Sequence, residues 1–80
     1  MPSDLLERMR RNPAADWRIQ QDVESLCLEF GLSFRFGKGS HANLHHPSAR
    51  EILTIPARRP IKPVYIRKLV RYIDTHGGSR

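Results

Sequence analysis

Eighty residues with a formal charge of +6 allow one small domain with a modest core. The single cysteine, Cys27, excludes an intramolecular disulfide and fits a reducing compartment. No apolar run nears the roughly 20 residues of a membrane-spanning helix. Met1-Pro2-Ser3-Asp4-Leu5 has no basic segment followed by a long apolar one, so neither a signal peptide nor a membrane partner is expected, and the expected location is the cytoplasm.

The first expected element is a short helix from Ser3 to Arg11, with Ser3 or Asp4 as N-cap and Leu5, Leu6 and Met9 along one side. Asn12-Pro13 ends it, because a residue before proline avoids the helical region. A second helix is expected with Asp16 as its cap. Ile19, Val23, Leu26, Cys27 and Phe30 recur at steps of three and four, and Gly31 is its stop. Trp17 is expected to pack beside that stripe. Cys27, inside it, reads as a small core residue rather than a nucleophile.

Beyond Gly31 the period becomes two. Leu32, Phe34 and Phe36 alternate with Ser33 and Arg35 in a half-buried strand, and Gly37-Lys38-Gly39 turns the chain. From His41 to His45, Ala42 and Leu44 point one way and His41, Asn43 and His45 the other. After a turn at Pro47-Ser48, a third strand is expected from Glu51 to Ile55, closed by Pro56. A basic loop, 57–61, leads to a last helix with Pro63 in its first turn and a core stripe of Ile66, Leu69, Val70 and Ile73. Gly77-Gly78 ends it.

The expected fold is therefore α+β, an α-β-β-β-α unit with a three-stranded antiparallel sheet and helices on one face, plus a short N-terminal helix. This order is that of a double-stranded-RNA-binding domain. The expected divisions are an N-terminal helical extension at 1–15, a main domain at 16–76 and a frayed tail at 77–80. The other sheet face stays open and carries Arg35, His41, Asn43 and His45.

Charge is unevenly spread. From Arg35 to Tyr72 there are nine lysines and arginines against one acid, Glu51. Such a half-chain suits a polyanion, because phosphate contacts release counterions. Arg58, Arg59 and Lys62 are the densest cluster and are candidate RNA ligands, with Arg35, Lys38 and Ser40 beside them. An acidic protein partner is compatible with the same surface.

Of the four histidines, His41 follows Gly39-Ser40 in a stretch without acids. An imidazole exchanges protons near neutral pH. RNA carries its own nucleophile, the 2′-OH, so cleavage needs a base, an acid and cations but no metal. Position alone also allows an ordinary surface histidine. His45 and His46 point to opposite faces and share no site, so neither a metal nor another cofactor is expected. His76 is expected to meet the carbonyls at the end of the last helix.

Phe36-Gly37-Lys38-Gly39-Ser40-His41 resembles the glycine-serine-histidine signature of HicA (YcfA-like) toxins. Ile52-Leu53-Thr54-Ile55-Pro56, the basic loop and the final helix resemble the elements after the signature in that family. The likeness runs from about Trp17 to Asp74. The resemblance implies an mRNA-cleaving toxin of a toxin–antitoxin system, with His41 catalytic, Gly39 and Ser40 shaping the turn that presents it, and 16–76 as the catalytic domain. It also implies a HicB-type antitoxin covering the His41 face. Ala42 and Asn43 depart from the larger residues common after the motif, and the Ala57-Arg58-Arg59 loop has arginine where many members have histidine. The alternative on the same fold is a non-catalytic RNA-binding module. Two helices joined by Asn12-Pro13 loosely suggest a DNA-binding helix-turn-helix, but the strands and the placement of basic residues after them argue otherwise.

Overall fold

A computed structural model of the chain describes residues 4–37, 39–57 and 60–77. The elements are α1 (Asp4–Arg11), α2 (Glu24–Phe30), β1 (Ser33–Phe36), β2 (His41–His45), β3 (Leu53–Pro56) and α3 (Pro63–Tyr72). A π-helical turn, Ile19–Val23, runs into α2, and another, Ile73–Gly77, continues α3. The strands form an antiparallel meander in the order β1-β2-β3. The molecule is thus a small α+β domain with three helices and a three-stranded antiparallel sheet.

Register shows how the alternation builds two faces. Phe34 pairs with Leu44 and Phe36 with Ala42, while Ala42 pairs with Ile55 and Leu44 with Leu53. This set is the core side, with Ala42, Leu44 and Ile55 fully buried. The intervening pairs, Ser33 with His45, Arg35 with Asn43, Asn43 with Thr54 and His41 with Pro56, occupy the opposite face. Pro56 lacks an N–H and sits on an edge strand, where none is needed for the ladder.

Val23, Leu26 and Cys27 from the second helical segment and Ile66, Leu69, Val70 and Ile73 from the last fill the space under the sheet. Leu6 and Met9 of α1 join the same cluster, so the N-terminal helix shares the core. It packs on α3, and Arg10 donates to both Asp74 carboxylate oxygens at 2.7 and 2.9 Å. Trp17 is also buried. Its Nε1–H donates to the Asn12 carbonyl at 2.9 Å, and the Arg8 guanidinium lies 5.7 Å from its ring centroid.

Several local expectations need correction. Asp16 is not the cap of the second helix. Helical structure starts at Ile19, with extended Arg18 as N-cap and the Asp22 carboxylate accepting from the Arg18 N–H at 2.9 Å. The reason is tertiary: the non-helical stretch before Ile19 carries Trp17 into the core. The third strand runs Leu53–Pro56 rather than 51–55, because Glu51 belongs to a loop whose carbonyl accepts from the Tyr72 hydroxyl at 2.8 Å. Ile52 is exposed there. Phe36, expected to be core-facing, is 47% exposed and instead meets Phe34 edge-on at 5.5 Å. Gly31 ends α2 as expected, with a left-handed φ of 75° that glycine adopts without a Cβ clash. The proposed cap Ser3 and the terminator Gly78 lie outside the described residues.

Candidate functional site

His41 opens the central strand, and its backbone neighbourhood is held from both sides. The Gly37 N–H donates to the His41 carbonyl at 2.8 Å, and the Ala57 N–H donates to the Ser40 carbonyl. Two glycines shape the hairpin leading to it. Gly39 has φ +70°, a conformation that favours glycine. At Gly37 a Cβ would lie 2.8 Å from Asn43 Nδ2, so glycine leaves room for that amide. Asn43 Oδ1 in turn accepts from the Thr54 hydroxyl at 2.9 Å, which links β2 to β3 on the open face.

His41 is exposed and lines a pocket of about 500 Å³ with Ser40, Pro56, Lys62 and Tyr65. Two parts of the chain meet there: the start of β2 beside the end of β3, and the first turn of α3. Lys62 is the N-cap residue of α3, extended at φ −63° and ψ 144°, and Pro63 follows at the first helical position. Tyr65, one turn in, is half-buried against the core, and Lys68 Nζ lies 5.7 Å from its ring centroid. Among the described residues the pocket offers an imidazole, a hydroxyl, an ammonium and a phenol, with no carboxylate in its lining.

The expected site residues are thus partly brought together. Ser40, His41 and Lys62 share the pocket, and Gly39 forms the turn. Arg35 is exposed on the same sheet face as His41 but outside the pocket lining. Lys38, Arg58 and Arg59, the other expected RNA ligands, lie outside the described residues. Tyr65 and Pro56 were not among the expected site residues. The available signal for Tyr65 was an aromatic directly after a basic loop, adjacent to the Ile66 core stripe but not in it.

The other histidines are engaged elsewhere. His45 Nε2 is 3.0 Å from the Ala49 carbonyl, and His46 Nδ1 accepts from the Ser48 N–H at 3.0 Å. His76 does not meet the helix-end carbonyls. Its Nε2 faces the Glu51 carboxylate at 3.3 Å, and its ring meets Tyr72 edge-on at 4.9 Å. The Glu51 carboxyl is held below the usual carboxylate range, first by a backbone hydrogen bond and then by His76. Burial pushes the Cys27 thiol up to about 12, which removes it from nucleophilic chemistry near neutral pH. Among the described residues, no three His, Cys, Asp or Glu side chains gather as a metal site, and no helix is long and apolar enough to cross a membrane.

No family model, curated protein or solved structure matches the chain.

Proposed function

We propose that this protein is an endoribonuclease toxin that cleaves mRNA with His41 as catalytic residue, without a metal, and is restrained by a HicB-type antitoxin. The observation that carries this reading is the exposed His41 imidazole beside Lys62 in a pocket without carboxylates among its described lining residues. The α-β-β-β-α order from Ile19 onward, which corresponds to a double-stranded-RNA-binding domain, and the net charge of +6 support it further.

The chemistry comes from RNA itself. Neutral His41 accepts the proton of the 2′-OH, and the 2′ oxygen attacks the neighbouring phosphorus. The bond to the 5′ oxygen breaks, that oxygen takes a proton from solvent water, and the His41 imidazolium gives the 2′-OH proton back to solvent. The products are a 2′,3′-cyclic phosphate and a 5′-hydroxyl. Lys62, in the same lining, balances the charge that builds on the non-bridging oxygens, and the Ser40 hydroxyl supplies a hydrogen-bond donor there. The antitoxin reading rests on the sequence resemblance and on the basic, open His41 face, which suits an acidic protein surface.

The deciding experiment expresses wild type and His41→Ala in cells and incubates both purified proteins with RNA in excess EDTA. The imidazole makes no side-chain hydrogen bond among the described residues, so the variant is expected to keep its fold. Its cleavage is expected to fall by about 10²–10⁴-fold, the usual contribution of general acid–base catalysis. Growth arrest and a cyclic-phosphate product are expected for wild type alone. Arrest that survives in His41→Ala, or cleavage that requires added metal, overturns the proposal. Unchanged RNA affinity with no cleavage by either protein points instead to a binding module. Protection of residues far from His41 in an antitoxin footprint overturns direct occlusion.

A further inference from the structure

The pocket beside His41 is larger than a scissile phosphate requires. Its volume of about 500 Å³ lies within the span of small-ligand sites, roughly 300–1,000 Å³. Two of its lining side chains, Tyr65 and Pro56, offer flat apolar surfaces, and neither takes part in the proton transfer proposed for His41. Tyr65 is anchored by packing against the core, so its ring is already positioned. Lys62 in the lining and Lys68 near the Tyr65 ring bring positive charge to the same place.

We infer that this pocket seats one unstacked RNA base against the Tyr65 ring, making Tyr65 the residue that selects single-stranded RNA. The inference rests on the ribonuclease reading and specifies its substrate. A base splayed out of a single strand presents its π-face to an aromatic side chain, while the flanking phosphates meet Lys62 and Lys68. A base held in a duplex can enter only after unpairing and unstacking. Stacking tolerates any base, so the expected selectivity is for strandedness and a base at one fixed position, not for a long sequence.

The test walks a single abasic nucleotide through the positions flanking the mapped cleavage bond of a short RNA. At one position, loss of the base is expected to lower wild-type kcat/KM by about five- to a hundredfold, the span carried by stacking one base. Tyr65→Leu is expected to lose a similar factor on intact RNA and to be indifferent to that abasic site. Tyr65→Phe is expected to stay within about threefold of wild type, because the ring remains. Annealing a complementary strand is expected to suppress cleavage. Folding of each variant is checked by thermal unfolding, and the abasic substrates test the wild-type protein regardless of that result. Equal cleavage of all abasic substrates overturns the inference. So does a Tyr65→Phe loss matching Tyr65→Leu, which assigns the role to the hydroxyl.

If wild type cuts no RNA, the ribonuclease reading falls and the pocket is judged by binding alone. The probe is then a single-stranded RNA carrying 2-aminopurine. Quenching on binding that Tyr65→Leu abolishes supports the base pocket, and quenching that survives unchanged overturns it.

Discussion

Tyr72→Phe is expected to destabilise the protein while sparing the chemistry proposed at His41. Tyr72 is 7% exposed, and its hydroxyl is used twice. It accepts from the His46 N–H at 3.1 Å and donates to the Glu51 carbonyl at 2.8 Å, which ties both ends of the β2–β3 loop to α3. Phenylalanine keeps the packing and removes both bonds. At a net 0.5–1.5 kcal/mol each, with water able to reach part of the loop, the expected loss is about 1–2 kcal/mol. For a domain of this size that corresponds to roughly 5–15 °C in Tm. Urea unfolding followed by circular dichroism measures the first figure and a thermal melt the second. Tyr65, at the pocket, lies seven residues earlier, about 10 Å along the helix axis. RNA cleavage well below the variant's Tm should therefore match wild type. A loss under about 0.5 kcal/mol, or cleavage that falls while the variant is folded, refutes the reasoning.

Gly39→Ala should cost about 1–2 kcal/mol through its φ of +70° alone, since a Cβ there meets nothing within 4 Å; urea unfolding checks this, and a neutral result removes the backbone argument. The Arg10 hydrogen bonds hold the Asp74 carboxyl below the usual range, so its contribution is present above the ordinary carboxylate pKa of about 3.9 and is lost as pH falls through the lower folded-state value. Both side chains are partly exposed, so Asp74→Asn should cost no more than about 1 kcal/mol near neutral pH, and the difference should vanish in acid; equal differences at pH 7 and pH 2 contradict this. With its thiol pushed up to about 12 by burial, Cys27 should react with a thiol reagent at pH 8 only as fast as the protein unfolds; rapid labelling of the native state refutes it.

Periodicity made most of the fold legible. Strand β2 runs His41–His45, as the alternation predicts, and the apolar stripes read at steps of three and four in the helices are those that pack, while Leu28 and Val64, off those stripes, are exposed. The failures fall where a distant contact overrides a local preference. Asp16 has the chemistry of a cap, but burying Trp17 requires extended backbone just before Ile19. Glu51 and Ile52 have strand-like neighbours, but the Tyr72 hydroxyl holds that backbone in a loop. Ile61 reads as part of a polar loop and is 1% exposed, with its N–H directed to the Trp17 carbonyl at 3.5 Å. In the site, Ser40 and His41 are adjacent in sequence and easily paired. Lys62 and Tyr65 join them because the first turn of α3 lies beside the end of β3.

That arrangement gives the two halves of the pocket different mechanical characters. His41 is carried by a central strand whose neighbouring backbone groups are bonded on both sides, so its imidazole changes position mainly by rotating about its own side-chain bonds. Such placement on a regular element is what a reacting group requires, because small displacements cost large factors in rate. Lys62 stands at the start of a helix on a long flexible stem, and an ammonium tolerates displacement because its pull on a phosphate falls off gradually with distance. Under the proposed ribonuclease reading, loss of His41 should therefore act on the chemical step and be irreparable by salt. Under the same reading, loss of Lys62 should lower both RNA binding and the rate of the chemical step, and the binding deficit should shrink as ionic strength rises and screens the wild-type contact as well.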